Sequence, residues 1–446
     1  MFLLKNIDYL DHNFVHRKNV DILIEDNIIK KIEPSSDNIF DHFFTERYSE
    51  HHPEIIDGKN KVVLPGFYNM HSHVPMTLLR GYGEGLNLQD WLFTKIFPFE
   101  DLLTAEDTYW GTLLGLSEFL ASGIISFSDM YMRMPGIVKA IDEVGIKANL
   151  CNAITDFGPG VKFPATEAYR DEMFLLDYMK NNPAKKIIAD AGIHAEYTSY
   201  PEQVLQLLEF AVENNLIIQL HLSETAFEHE ECKQRHQGRT PTEYFFDLGV
   251  FQQKCILAHG VYVEAKDLRI IQQNDAVLVH NPASNMKLGS GFASVGKWLD
   301  FGVTACIGTD GAASNNDLDI LQETRLAALI QKGLKKDPKL LKPEQLLQMI
   351  TVNGAIAQGR NNCGQIREGY AADLVIFDLD TPNMQPIYNL TTNIIYSANQ
   401  NNVYLTMVDG QILYQNGEYK TIDIEKVKFE VNRIKDEKLV QLGYLQ

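Results

Sequence analysis

Cysteine is scarce in this sequence, and its few residues form no pattern. The 446-residue chain contains 5 cysteines, which are scattered and include no Cys-x-x-Cys pair. Disulfide frameworks and cysteine-based zinc sites need paired or closely spaced cysteines. The sequence therefore argues against both and predicts buried thiols in a reducing, cytoplasmic compartment.

Positive charge is also in short supply. Lys and Arg number 40 against 59 Asp and Glu, which gives a formal net charge of −19. Such a surface repels a phosphate backbone, and the chain has no long Lys/Arg cluster to offset that repulsion locally. We therefore expect no nucleic acid polymer as a partner.

Long apolar runs are missing as well. Only three apolar residues lie between Met1 and Lys5, so the start of the sequence lacks the apolar core of a signal peptide. No uninterrupted apolar run reaches the length of a bilayer. We expect a soluble protein with no membrane partner. A homo-oligomer is left open by the sequence.

The two ends of the chain resemble each other in pattern. Short apolar runs alternate with turns over residues 1–60, and again over 359–446, where Asp409-Gly410 marks a hairpin. Neither segment can bury a good core alone, so we predict one small β-sandwich domain built from both termini. The polar stretch near 34–54 predicts an exposed loop.

The middle of the chain, residues 61–358, has a different pattern. Short β-branched runs alternate with amphipathic helical segments, as in repeated βα units. Eight strands are predicted, at 61–70, 123–129, 146–153, 186–193, 216–222, 254–259, 275–280 and 302–308. The fold class is therefore predicted as α/β, a (β/α)8 TIM-type barrel, with a doubly wound open sheet as the alternative.

Six of these strands end in residues that can do chemistry, namely His71 with His73, His194, His221, His259, His280 and Asp310. In a barrel these ends face one mouth, where active sites lie. A single histidine at a strand end is more often a hydrogen-bonded core residue than a ligand. Six such ends favour a shared site.

The clearest metal motif is His71-Ser-His73. On an extended strand, residues i and i+2 point to the same side, so both imidazoles can reach one ion. His221 ends the fifth strand, and Glu224 follows it closely enough to move protons without binding the ion. Glu224 could instead be a first-turn helix acid.

Asp310 lies in a loop of small residues, where it could bind the metal and accept a proton from water, or cap the next helix. Three histidines and one carboxylate suit one divalent metal, Zn²⁺ first, although Fe²⁺, Mn²⁺ or Ni²⁺ would also be accepted.

Several long segments together resemble the amidohydrolase superfamily, in particular its methylthioadenosine/S-adenosylhomocysteine deaminase branch beside the chlorohydrolases. They are Pro65-Gly-Phe-Tyr-Asn-Met-His-Ser-His-Val-Pro-Met-Thr-Leu-Leu-Arg-Gly81, Asp90-Trp-Leu-Phe-Thr-Lys, His221-Leu-Ser-Glu224, Ala258-His-Gly, His280-Asn-Pro-Ala-Ser-Asn-Met-Lys-Leu-Gly289 and Gly308-Thr-Asp-Gly-Ala-Ala-Ser-Asn-Asn316. The resemblance runs over nearly the whole chain.

The resemblance implies a hydrolytic deaminase that removes the 6-amino group of an adenine nucleoside and releases ammonia. It implies metal binding by His71, His73, His221 and Asp310, and proton transfer by Glu224. By similarity alone, His259 lies against the reacting centre, Trp91 packs near the substrate, Glu100 holds the ribose hydroxyls and His194 contacts the purine.

One departure from the family pattern concerns substrate choice. The family places arginines after the third strand, where they can pair with the homocysteine carboxylate, but residues 151–162 contain none, and Arg133 and Lys162 are the only cations nearby. We therefore hypothesise a preference for neutral 5′ substituents.

Three other functions are alternatives to the hypothesis of an adenine nucleoside deaminase. A guanine or pterin deaminase, or a chlorotriazine hydrolase, would share the metal site. A non-enzymatic metal-binding or scaffold protein would not need Glu224. A nucleotide-binding oxidoreductase would need a glycine fingerprint that the sequence lacks.

Overall fold

A computed structural model describes residues 1–36, 53–155, 160–183 and 186–445 of the chain. They form two compact units. The first contains Met1–Tyr68, Phe119–Ile125 and Lys342–Thr421, and the second contains Asn69–Glu118, Ser126–Leu341 and Ile422–Gln446. Most of the loop predicted near 34–54 lies outside the described residues. Within those residues, no helix is long and apolar enough to cross a bilayer.

The strands of the described residues are, in chain order, β1 (Phe2–Leu10), β2 (His16–Glu25), β3 (Ile28–Pro34), β4 (Glu54–Asp57), β5 (Lys61–Pro65), β6 (Phe67–Ser72), β7 (Ile124–Met130), β8 (Lys147–Cys151), β9 (Ala153–Ile154), β10 (Ile187–Ala189), β11 (Ala191–Ile193), β12 (Ile218–Leu222), β13 (Cys255–His259), β14 (Val277–His280), β15 (Thr304–Ile307), β16 (Leu374–Asp378), β17 (Val403–Val408), β18 (Gln411–Gln415) and β19 (Glu418–Tyr419).

The α-helices of the described residues are α1 (Leu88–Trp91), α2 (Phe97–Glu100), α3 (Ala105–Ala121), α4 (Met134–Val144), α5 (Glu167–Asn181), α6 (Pro201–Asn214), α7 (Ala226–Arg235), α8 (Pro241–Asp247), α9 (Ala265–Gln273), α10 (Pro282–Lys287), α11 (Val295–Asp300), α12 (Ile320–Lys335), α13 (Pro343–Met349), α14 (Val352–Ala357), α15 (Leu390–Tyr396) and α16 (Ile424–Gln441).

The first unit is built on a nine-stranded sheet that both ends of the chain share. Its order is β19-β18-β17-β16-β5-β1-β2-β3, with β4 paired to β1. β5 joins the two halves, because it pairs antiparallel with β16 and parallel with β1. Apolar side chains from both halves, including Leu4, Ile22, Leu374 and Leu405, are fully buried in one cluster.

The remaining strands form two sheets, in the orders β10-β8-β7-β6 and β15-β14-β13-β12-β11-β9. Their neighbours pair in parallel, as between β12 and β13 and between β14 and β15. Helices separate most consecutive strands, as crossover connections between parallel strands require. The prediction of an α/β fold with parallel sheets is confirmed.

The single strand predicted at 61–70 is two strands, β5 and β6, which enter different sheets. Gly66 lies between them, and a Cβ there would come within 2.4 Å of the Ile125 side chain. The chain can therefore approach Ile125 closely only where a side chain is absent. The Pro65-Gly66 dipeptide is the sequence signal for this break, and the predicted single strand ran across it.

The strands predicted at 146–153 and 186–193 are also interrupted, at Asn152 and Asp190. The backbone N–H of Asn152 donates to Glu172 Oε1 (3.2 Å), and its side-chain amide donates to Asp171 Oδ2 (2.8 Å), so both bonds go to acids of α5. Buried polar groups need such partners, which here come at the expense of strand regularity.

Candidate metal centre

Strand ends of the second unit surround a cavity of about 420 Å³. This volume is within the range of small-molecule sites. The residues predicted from the sequence that line it are His73, Trp91, Glu100, His194, His221, Glu224, His259 and Asp310. His71 does not line the cavity, but its ring centroid lies 4.9 Å from that of His73 and 4.8 Å from that of His221.

Four predicted ligands have their side-chain ends close together. Asp310 Oδ1 lies 3.3 Å from His73 Nε2 and 3.5 Å from His71 Nε2. His221 Nε2 lies 3.3 Å from His73 Nε2. Ligand atoms of His71, His73 and His221 all fall within 4.8 Å of one another, which is close enough to share one ion.

The tautomers of His73 and His221 follow from their other ring nitrogens. His73 Nδ1 donates to the Met130 carbonyl (2.6 Å), and His221 Nδ1 donates to the His194 carbonyl (2.8 Å). Because a carbonyl only accepts, each Nδ1 carries a proton, and in a neutral ring the lone pair is then at Nε2. Two lone pairs 3.3 Å apart repel each other unless a positive charge lies between them.

The charge state of the histidines points the same way. Burial lowers the pKa of His71 to about 4 and, with the neighbouring imidazoles, lowers that of His221 well below its ordinary value. His71 Nε2 is buried and has no hydrogen-bond partner among the described residues. Neutral imidazoles with free Nε2 lone pairs are the form that binds metals.

Asp310 is held with one oxygen free for the cluster. Its Oδ2 accepts hydrogen bonds from Ser284 Oγ (2.6 Å) and Ser314 Oγ (2.9 Å). Its backbone is left-handed, with φ 61°. Such a conformation costs a non-glycine residue about 1–3 kcal/mol, and residues strained in this way cluster at functional sites.

Glu224 and His259 form a second buried pair in the cavity. Glu224 Oε2 lies 3.7 Å from His259 Nε2, and Ser290 Oγ donates to Glu224 Oε1 at 3.0 Å. Burial raises the pKa of Glu224. Burial alone would lower the pKa of His259, but the charges of Glu224 and Asp310 outweigh it and raise that pKa. Both pKa values are shifted upward, and the two side chains lie close enough to serve as proton donors and acceptors at one reacting centre.

The predicted substrate residues lie around the same cavity. Trp91 and Glu100 come from the short helices α1 and α2, and both are nearly fully buried. Burial raises the pKa of Glu100 to about 7, against a smaller opposing effect of the facing Tyr131 hydroxyl. The His194 ring centroid lies 4.9 Å from that of His221.

His280 does not join the cavity. It ends β14 and is buried, but it is not among the lining residues. Its ring packs edge-on against Trp298, with the ring centroids 6.0 Å apart. Convergence of all six strand ends, as expected from the sequence, is therefore wrong for His280. His280 is instead a core residue packed against Trp298.

Comparison with known proteins decides the family. The model of the amidohydrolase family matches residues 62–413. This match covers most of the chain and all of the clustered side chains described above.

The chain belongs to the amidohydrolase family.

Other amidohydrolases are similar to it over almost their whole length. A protein of Dictyoglomus thermophilum named 5-methylthioadenosine/S-adenosylhomocysteine deaminase is 39% identical, with 93% of this chain and 97% of the relative covered. A protein of the same name from Caldicellulosiruptor saccharolyticus is 40% identical, covering 93% of each. The family prediction made from the sequence is confirmed, and the protein is a hydrolytic enzyme.

A solved structure agrees with this assignment. An adenosine deaminase from Xanthomonas campestris, crystallised with bound zinc, has a TM-score of 0.90 and 26% identity, and covers 98% of both chains.

Several residues of this amidohydrolase site were not assigned from the sequence. Glu228 accepts the backbone N–H groups of Ser223 (3.0 Å) and Glu224 (2.7 Å), and so fixes the turn that carries Glu224. It belongs to the capping box that begins with Thr225, a motif visible in the sequence. Asn285 Oδ1, 2.8 Å from His259 Nδ1, lies in a segment already noted for its resemblance to the family.

Proposed function

We propose that this amidohydrolase is a divalent-metal-dependent deaminase that removes the 6-amino group of an adenine nucleoside, such as 5′-methylthioadenosine, adenosine, 5′-deoxyadenosine or S-adenosylhomocysteine. The observation that carries the proposal is the Glu224–His259 pair, buried in a cavity that three of the four clustered ligand groups also line. The names of the relatives and the zinc-bound adenosine deaminase support the same activity.

His71, His73, His221 and Asp310 would hold the metal. The facing Nε2 atoms of His73 and His221, and the buried Nε2 of His71, which has no hydrogen-bond partner among the described residues, fit a cation bound between them. Three imidazoles and a carboxylate favour Zn²⁺, with Fe²⁺, Mn²⁺ and Ni²⁺ compatible. When bound, such an ion supplies Lewis acidity, which makes water a stronger nucleophile at neutral pH.

Proton transfer is assigned to the carboxylates. Asp310 would accept a proton from a water molecule through Oδ1 while the oxygen of that water attacks C6 of the purine. Glu224, whose pKa burial raises, would give a proton to the ring nitrogen N1 and help transfer one to the departing ammonia. His259, whose pKa is raised, would donate from Nε2 to the oxygen on C6 as charge develops there.

Substrate binding is assigned to lining residues of the cavity outside the ligand cluster. Trp91 would pack near the substrate, His194 would contact the purine, and Glu100 would accept hydrogen bonds from the ribose hydroxyls. Glu100 Oε1 is buried without a hydrogen-bond partner in the described part of the chain, which supports this role.

The architecture is proposed in the same terms. We propose that the eight parallel strands close into a barrel, since Asp310 N donates to His71 O at 3.0 Å and a Cβ on Gly308 would meet His71 N at 2.8 Å. The sandwich form of the terminal β domain, and the division into 61–358 and 1–60 with 359–446, stay predictions.

Metal analysis with an ammonia-release screen tests the activity. We expect about one divalent ion per chain and ammonia release from adenine nucleosides, with no ammonia from guanine or pterins and no chloride from chlorotriazines. Ammonia release from guanine or a pterin alone would show that the enzyme acts on that heterocycle instead of an adenine nucleoside. A protein without stoichiometric metal would overturn the proposal.

A further inference from the structure

The part of the cavity beyond Glu100 carries a charge arrangement that the proposed reaction does not use. Besides Glu100, the acids Asp101 and Glu167 line it. Arg133 is the only Lys or Arg among the described lining residues. Lys162, the other cation noted in the sequence, is exposed and does not line the cavity. Acidic groups therefore outnumber cationic ones in this region.

Arg133 is committed to contacts within the protein. Its guanidinium forms an ion pair with the Glu167 carboxylate through Nη1 and donates from Nε to the Leu103 carbonyl at 3.1 Å. Its backbone N–H donates to Asp171 Oδ2 at 3.1 Å, and its own backbone is left-handed with φ 63°. These contacts fix the side chain and direct its guanidinium toward Glu167.

Glu167 is the first residue of α5, after the N-cap Thr166, whose side chain accepts from Tyr169 N. An acid in the first helical turn is common and stabilises the helix modestly. This one differs because it also lines the cavity and neutralises the one lining arginine. A substrate carboxylate arriving here would have to displace Glu167 or lie beside it, and like charges side by side are disfavoured.

We propose that Glu167 makes the cavity discriminate against adenine nucleosides whose 5′ substituent bears a carboxylate, and favours neutral or cationic 5′ substituents. The inference rests on the proposed function, which puts the purine C6 at the ligand cluster and the ribose at Glu100. With that orientation the 5′ substituent extends beyond Glu100, toward the Arg133–Glu167 pair. Both side chains of the pair are only partly exposed, at 28% and 36%, so solvent screens the effect without abolishing it.

A matched set of three substrates tests the inference on the metal-loaded enzyme. They are 5′-methylthioadenosine, S-adenosylhomocysteine, and 5′-(3-aminopropylthio)-5′-deoxyadenosine, which keeps the length and the amine of the second but lacks its carboxylate. We expect kcat/KM for the aminopropyl compound to exceed that for S-adenosylhomocysteine by about tenfold or more. Equal values for these two compounds would overturn the inference.

The variant Glu167→Gln removes the negative charge with little change in shape and releases the Arg133 guanidinium. We expect the preference against S-adenosylhomocysteine to shrink by about tenfold, while kcat on methylthioadenosine stays near the wild-type value. Glu202→Gln is the control, because Glu202 is a first-turn acid of α6 that does not line the cavity. An unchanged ratio in Glu167→Gln, or the same change in both variants, would refute the role of Glu167.

Competitive inhibition of methylthioadenosine turnover by S-adenosylhomocysteine gives the binding preference even if the latter reacts slowly. Wild-type inhibition as strong as that of the aminopropyl compound would count against the inference. If none of the three nucleosides releases ammonia, the proposed function itself fails, and this inference fails with it. Turnover of all three without discrimination overturns only the inference.

Discussion

Among the described residues, metal-ligand spacing occurs in two regions of the second unit, which differ in how their charge is balanced. One consists of His71, His73 and His221 with Asp310, and His259 also has this spacing to His71 and Asp310. The other consists of Glu196, Cys232 and His236, whose ligand atoms also lie within 4.8 Å of one another. Distance alone does not distinguish the two groups.

Contacts within the protein already balance the charge of the second group and satisfy its hydrogen bonds. Glu196 Oε2 accepts from Arg235 Nη2 at 2.5 Å, and its Oε1 lies 2.7 Å from His236 Nε2. Burial and the charge of Glu196 raise the pKa of the Cys232 thiol, which keeps it protonated. In the first group, by contrast, Nε2 of His73 and Nε2 of His221 face each other at 3.3 Å, while their Nδ1 atoms donate to backbone carbonyls. We infer that charge balance within the protein, rather than ligand spacing, distinguishes the proposed metal site from the second group.

Removing a ligand from the first group should have the largest effect. We expect His221→Ala to lose stoichiometric metal, and kcat/KM for adenine nucleosides to fall by more than about a thousandfold, because several kcal/mol of transition-state stabilisation depend on the ion. Metal content by elemental analysis and ammonia release measure both effects. A variant that keeps one ion per chain and near-normal turnover would place the metal elsewhere.

A change beside the first group should separate catalysis from metal binding. Glu224→Gln keeps the shape and the acceptor for Ser290 but cannot transfer a proton. We expect full metal occupancy and a kcat lower by about 10²- to 10⁴-fold. Activity close to wild type would exclude Glu224 from proton transfer, and loss of the metal would show that it acts on the ion instead.

The first group could be predicted from the sequence because several of its residues lie close together along the chain. His71 and His73 are two residues apart on a strand, so their side chains point to the same side. Glu224 follows His221 by three residues, so local geometry also predicts that these two side chains lie near each other. The sequence could not separate His280 from His259, since both end neighbouring strands after similar apolar runs. β13 and β14 pair with Ala258 opposite Val279, so the two histidines end their strands at the same level. The left-handed backbone of His259, with φ 72°, distinguishes it from His280, and the sequence does not reveal that conformation.

The sequence could not predict contacts between segments that are distant along the chain. The break at Gly66 depends on the approach of Ile125, and the neutralisation of Arg133 depends on Glu167, 34 residues away. The satisfied group around Glu196 requires Arg235, which follows it by 39 residues. No local pattern encodes such pairs, so the sequence identified the candidate ligands but not which charges the fold had already balanced.

The pH dependence of substrate binding should give a medium effect. Burial raises the pKa of Glu100 to about 7, so its carboxylate is increasingly protonated as the pH falls below that value. Only the ionised form can accept hydrogen bonds from both ribose hydroxyls. We expect kcat/KM for adenosine to fall about tenfold per pH unit well below pH 7.

The control for this prediction is 2′,3′-dideoxyadenosine, which lacks both hydroxyls. Its pH profile should be flatter than that of adenosine in the same range. Glu100→Gln should flatten the adenosine profile while lowering its plateau. Identical profiles for the two nucleosides would remove Glu100 from ribose recognition.

The smallest effect is expected in the second group, and it tests the comparison most directly. Cys232 is fully buried and donates weakly to the Arg239 carbonyl at 3.5 Å, a bond that serine can keep. We expect Cys232→Ser to leave metal content and turnover within about twofold of wild type, with a stability change of about 1 kcal/mol measured by thermal unfolding. A fall from two ions per chain to one would show that Arg235 does not prevent Glu196, Cys232 and His236 from binding metal, and the charge-balance criterion would then fail for this fold.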